Sequence, residues 1–287
     1  MIPSFIITFR ETLEAALVIG VILSYLVKIQ QVKYNNIVYI GVVSGIIASI
    51  VSALLFTNAA GGFTGRTEEI FEGITMLLGA CLLTTMILWM IKQKHVATEL
   101  EHKVAIEIAE AHKFGLFSLV FISVLREGIE TVIFLKVASF VSTNNNLIGG
   151  LAGIIGAIIL GYTIFIGSIR ISIKKFFNVT SILLILFATG LVAHGVHELQ
   201  EANILPTIIE HLWDINPSLH LDGSFPLLHE KGEIGSILNG LFGYNGNPSL
   251  IEVISSLGYL LLVCIFWRNI TSQFPSFSKI EPTTESL

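Results

Sequence analysis

The chain has 287 residues, of which 53% are hydrophobic and 13% charged, with a mean hydropathy of +0.80 and a formal charge of −5. Soluble domains carry about 25% charged residues, so this composition excludes an ordinary soluble fold. No basic patch or aromatic-basic stripe is present, which excludes nucleic acid as the expected partner and leaves the lipid bilayer.

Several apolar stretches reach the ~20 residues that cross a bilayer. The first covers 3–27, and the segment ahead of it has neither a basic region nor a small-residue cleavage site, so it reads as a retained span. Further spans are predicted at 37–57, 69–91, 115–140, 147–169, 179–199 and 250–268, giving an all-α integral membrane protein of seven helices. The odd-numbered connections and the C-terminal end hold Lys28, Lys33, Lys92, Lys94, Lys103, Lys113, Arg170, Lys174, Lys175, Arg268 and Lys279. The even-numbered ones hold only Arg66 and Lys231. The positive-inside rule therefore predicts the N-terminus outside and the C-terminus inside, a parity that needs an odd number of spans. Cys81 and Cys264 each lie in an apolar run and read as core or lipid-facing residues.

Span one contains Arg10-Glu11-Thr12-Leu13-Glu14 and span four contains Arg126-Glu127-Gly128-Ile129-Glu130, two copies of R-E-x-x-E. A charge at the centre of a span costs about 2.5 to 3.5 kcal/mol on insertion scales, so neither copy is incidental. Gly41, Gly45 and their neighbours in span two echo Gly149, Gly153 and theirs in span five, and Phe71 with Thr75 echoes Phe176 with Thr180. The expected organisation is one permease-like membrane domain over 1–287. Repeat one covers about 1–91, an inverted repeat two about 115–201, an external loop 202–248, and a seventh helix 250–268. The glycine pairs suit close helix packing and carry no chemistry.

Residues at i, i+3 and i+4 share a helix face, so Glu11 and Glu14 project together, as do Glu127 and Glu130. Crossing of spans one and four would bring four hard oxygen ligands together, suited to a hard cation. Arg10 and Arg126 sit one turn from Glu14 and Glu130, where they can hold those carboxylates ionised and oriented. Neither motif has the E-x-x-H form of di-iron helix bundles, which argues against a membrane di-iron enzyme.

Farther out, Glu68, Glu69 and Glu72 open span three, and His194, His197, Glu198 and Glu201 close span six. Glu72, His197, Glu198 and Glu201 form a candidate outer vestibule that gathers cations, whereas Glu68 and Glu69 suit the positive end of a helix. The external loop is acidic, with short interfacial segments expected near 204–213 and 235–242. The Glu/Lys-rich stretch from Lys92 to Lys113, including Glu99 and His102, reads as a solvated helix.

At these residues the chain resembles the iron permease family, the Ftr-type and Efe-type oxidase-dependent iron transporters, whose mark is R-E-G-L-E in the first and fourth of seven spans. Here Thr12 replaces the motif glycine of the first copy and Ile129 the leucine of the second, and neither change touches a charged position. Further similarity covers Phe71 to Leu78, Trp89-Met90, His197 to Glu201 and Leu241 to Ser249. The resemblance implies high-affinity uptake of Fe3+ or Fe2+ with no enzymatic activity and no fixed cofactor. Iron would be the transported substrate, handed over by a ferroxidase or a periplasmic iron-binding or peroxidase partner. It implies a plasma or bacterial inner membrane, and makes Glu11, Glu14, Glu127 and Glu130 the translocation residues accompanied by Arg10 and Arg126. Some relatives are associated with lead, so a proton-coupled transporter of another divalent cation is the alternative.

Overall fold

A computed structural model describes residues 1–60, 62–92, 100, 102–106, 113–141, 146–165, 173–218 and 224–273, and contains no strand among them. The long helices are α1 (Ile2–Lys28), α2 (Asn35–Ala60), α3 (Arg66–Lys92), α4 (Lys113–Val141), α5 (Asn146–Phe165), α6 (Ile173–Glu201) and α8 (Leu250–Gln273), with the short α7 (Glu233–Phe242) between the last two. Local chemistry places several of the ends. Pro3 opens α1, where its missing N–H costs nothing. Gly65, at φ +58°, lets its carbonyl accept the N–H of Glu68 at 2.8 Å as α3 begins.

Among the described residues five helices, α2, α3, α5, α6 and α8, are long and apolar enough to cross a membrane. Helices α1 and α4 are as long, at 27 and 29 residues, but each interrupts its apolar run with an arginine and two glutamates. Ile46, Ile47, Leu54, Ile155, Ile158, Leu261 and Leu262 are exposed, as lipid-facing side chains of a multi-pass membrane protein should be. Cys81 and Cys264 are free and also face outward.

The packing has a regular plan. Helix α1 lies along α5, α2 along α4 and α3 along α6, while α1 also crosses α4. Exchanging α1 with α4, α2 with α5 and α3 with α6 leaves this set of pairings unchanged. Helix α8 stands outside the exchange and packs mainly on α6. One core, including Ile7, Met76, Leu83, Phe134, Leu184 and Leu191, joins α1, α3, α4 and α6. A second, including Ile22, Val38, Leu116 and Val120, joins α1, α2 and α4.

Small residues make the two main crossings close. A Cβ on Gly41 would lie 3.0 Å from Val120, and one on Gly45 would lie 2.9 Å from Val124. On α5, Gly153 takes the carbonyl of Phe5 at 2.5 Å from where its Cβ would stand, and Thr8 Oγ1 donates to the Gly150 carbonyl at 2.9 Å. The motif glycine Gly128 faces Ser49 of α2, whose hydroxyl fills the space a side chain would need.

Of the two expected interfacial segments, only the second is helical, as α7. Residues 204–213 form bends and irregular backbone, committed to bonds elsewhere. Leu212 donates to the Pro248 carbonyl at 2.9 Å, and the Ile209 carbonyl accepts from Leu250 at 3.1 Å. Those bonds tie the external segment to the start of α8. There Ser249 Oγ accepts the Glu252 N–H at 3.2 Å and Glu252 Oε1 accepts the Ser249 N–H at 3.2 Å, a reciprocal capping box.

Two stability effects follow, readable as thermal unfolding in detergent. Ser249→Ala removes the cap and should destabilise the protein by about 1 kcal/mol. Gly128→Ala should cost about 1 to 3 kcal/mol through overpacking against Ser49. The double variant with Ser49→Gly should recover part of that loss, and equal stability of the single and double variants would show that Ser49 is not the obstacle.

Candidate functional site

The crossing of α1 and α4 brings the two motifs together. Carboxylate oxygens of Glu11, Glu14 and Glu127 all lie within 4.8 Å of one another, the one such metal-capable group among the described residues. Glu11 is fully buried and Glu127 is 9% exposed. Glu11 Oε2 and Glu127 Oε2 are buried and accept no hydrogen bond. Unpartnered carboxylate oxygens in an apolar surround are costly unless a proton or a cation meets them.

Arg10 is completely buried beside this cluster. Its NH2 lies 2.9 Å from Glu14 Oε1 and its NH1 lies 3.4 Å from Glu11 Oε1. The remaining contacts of the guanidinium are to sulfur, with Met86 Sδ at 3.0 Å and Met90 Sδ at 3.4 Å, both from α3. Thioethers are weak acceptors, so they hold the guanidinium in place without neutralising it. Three ionised carboxylates and one guanidinium leave two formal negative charges at the site. The set of donors is hard oxygen, which suits a hard cation.

The fourth predicted ligand does not join the cluster. Glu130 Oε1 accepts from Arg126 Nε at 2.8 Å, while Glu130 Oε2 is buried without a partner. Arg126 is 44% exposed and its guanidinium lies 4.9 Å from the ring centroid of Trp89. The i,i+4 pairing turns Glu130 toward its own arginine and α3, so the expected convergence of four carboxylates becomes three plus an adjacent ion pair. Both arginines do pair with the carboxylate one turn on, as their spacing predicts.

Where α3 begins and α6 ends, Glu72 and Glu198 are half-buried and within electrostatic reach of each other. His197 bridges two acids, with Nε2 at 3.2 Å from Glu201 and Nδ1 at 3.0 Å from Glu252. His194 Nε2 lies 2.7 Å from Asn239 Oδ1 of α7. Glu68 is exposed and stays at the helix end, Glu99 lies outside the described residues, and His102 is exposed. The sequence reading did not single out Glu252, which is 2% exposed and also accepts from Asn245 Nδ2 at 2.9 Å. Its signal was available as the S-x-x-E pattern Ser249-Leu250-Ile251-Glu252 at the head of an apolar run.

Comparison with known proteins gives the family. Residues 1–271 match the family described as the iron permease FTR1 family. An uncharacterized protein of Archaeoglobus fulgidus is 37% identical over 261 residues, covering 91% of this chain and 92% of its own. The ferrous iron permease EfeU of Yersinia pestis is 32% identical over 271 residues, covering 93% of each chain. The ferrous iron permease EfeU of Escherichia coli is 31% identical over 266 residues, covering 91% of this chain and 93% of its own. No solved structure matches the chain. With its whole membrane region matched, the chain belongs to the iron permease family and is a multi-pass transporter with iron as its substrate, not an enzyme.

Proposed function

We propose that this permease carries Fe2+ inward across a plasma or bacterial inner membrane through a site made by Glu11, Glu14 and Glu127. The observation that carries the reading is the buried carboxylate cluster with Arg10 built into it. Its surplus of two negative charges balances one divalent cation, whereas Fe3+ would leave an uncompensated positive charge in a low-dielectric interior. The ferrous permeases among the relatives support the same valence.

In this reading the protein spans the membrane seven times, with its N-terminus outside. Helices α1 to α3 and α4 to α6 form an inverted repeat, and α8 is appended. The invariance of the helix pairings under exchange of the two halves supports that plan, and it sets the two motifs antiparallel about one site. Glu72, His197, Glu198 and Glu201 collect the ion at the outer face. Glu130, held by Arg126, stands next to the cluster as a further ligand. Arg10 orients Glu14 and, once the carboxylates are protonated, favours release of the cation. Delivery of Fe2+ by a periplasmic iron-binding partner fits the outward acidic surface, whereas a ferroxidase or peroxidase partner would hand over Fe3+ and belongs to a ferric reading of the site, and no resident cofactor is required.

Purified protein in proteoliposomes tests this directly. Uptake of Fe(II) should exceed that of Fe(III), Pb(II) and Mn(II), and Glu127→Ala at unchanged membrane abundance should reduce iron uptake to the protein-free rate. Full uptake by Glu127→Ala would remove the cluster from the path. Preference for Pb(II) would keep the carboxylate site and change its substrate.

A further inference from the structure

The two copies of the motif differ in surroundings more than in sequence. Arg10 is fully buried, whereas Arg126 is 44% exposed. The exposure of Arg126 is to a cavity of about 810 Å³ between α3 and α4, lined among others by Met86, Trp89, Leu125, Arg126, Ile129 and Glu130. Arg126 lies near the middle of the 29-residue α4, at the depth of the hydrocarbon core. A guanidinium exposed at that depth is found where water reaches it, because facing lipid would cost at least about 2.5 to 3.5 kcal/mol.

The direction of the cavity follows from the helices that line it. The α3 residues run from Leu82 to Trp89, in the half of α3 that ends at Lys92, and the α4 residues run from Ile122 to Phe134, across the middle of a helix that starts at Lys113. Both of those ends belong to the positive-inside face. The opposite end is closed by the packed core of Met76, Ala80, Phe134 and Val137. Exchange of the two halves maps the α3–α4 junction onto the α6–α1 junction, and there α7 packs against both helices. Asn239 of α7 holds His194, and the backbones of Gly190 and Gly243 meet too closely for a Cβ on either. Among the described residues, α7 plugs the outer junction and has no counterpart at the inner one.

Resting on the transport reading above, we propose that the α3–α4 cleft is a water-filled inner vestibule through which the cation leaves the carboxylate cluster. Glu130 is the ligand that receives the ion from the cluster, and Arg126 is the gate that occupies Glu130 until it does. The geometry supplies both parts. Glu130 lines the cleft and keeps one buried oxygen unpartnered, and the Trp89 ring beside Arg126 offers the displaced guanidinium a cation–π resting place.

Thiol accessibility separates this from the alternatives. In a Cys81→Ala, Cys264→Ala background, Leu125→Cys and Ile129→Cys are exposed to a charged, membrane-impermeant maleimide in right-side-out and in inside-out vesicles. Labelling at least ten-fold faster in inside-out vesicles is expected, with Leu261→Cys on the lipid face of α8 as the unlabelled control. Fe(II) should slow the labelling in the background and leave it unchanged when Glu130→Gln is added. Labelling from neither side, as for a cleft facing lipid or a second protomer, would overturn the vestibule, as would labelling from the outer side. Protection by Fe(II) that persists in Glu130→Gln would overturn the hand-over. Tracer uptake measured on the same vesicles reports separately on the transport reading, so the vestibule and the substrate assignment fail on different readouts.

Discussion

The structure depends on keeping three carboxylates and a guanidinium together in a place where water cannot screen them. Two unit charges about 4 Å apart interact by about 4 kcal/mol at an effective dielectric near 20, so the arrangement of Glu11, Glu14, Glu127 and Arg10 dominates the local energy. Arg10 offsets one carboxylate charge and touches Glu11 and Glu14, but its remaining neighbours are the thioethers of Met86 and Met90, which contribute no charge. With all three carboxylates ionised, the site is two charges short of neutrality. Binding of a divalent ion relieves that shortage, and protonation of two carboxylates is the other way to relieve it. A transporter needs such a choice, because a site that was satisfied without its ion would have no reason to take one up.

Close helix approach is what allows the cluster to exist. The glycines of α2 and α5 let α4 and α1 lie against them with backbone and small side chains in contact. The helix plan then has one partner for each helix across the exchange, and α1 and α4, the two carrying charge, meet at the centre. The exposed faces of α2, α5 and α8 are mostly aliphatic and turn to the lipid. Near-symmetry of the pairings does not extend to the motifs themselves. One arginine is enclosed by α3 methionines, while its counterpart looks into a cleft beside Trp89.

Much of the site was legible in the sequence because helical spacing is short-range geometry. The i,i+3 glutamates and the i,i+4 arginine pairs follow from 3.6 residues per turn, whatever the helices pack against. Glu130 departed from expectation because its orientation is a contest between its own arginine and the facing helix, and only the packed structure shows that Arg126 wins it. Glu252 was overlooked because it opens the last helix, far in sequence from His197, and its importance comes from a contact made across the outer ends of two helices. The segment at 204–213 carries an apolar composition that suits a short helix, yet its backbone pairs with the entry to α8 instead.

The sequence by itself determined the helical class, the apolar lengths, the doubled R-E-x-x-E motif and the family, because each of these is written in local composition and spacing. It also determined that six charged residues lie inside two long apolar helices, a placement that is costly unless the charges are paired or neutralised. Tertiary structure decided which three of the four glutamates meet, which arginine is buried, and which end of the site is covered. Those outcomes rest on how helices distant in the chain pack on one another, with α3 methionines enclosing Arg10 and α7 covering the α1–α6 junction but not its α3–α4 counterpart. Local sequence carries no information about such partners until the helices have been brought together.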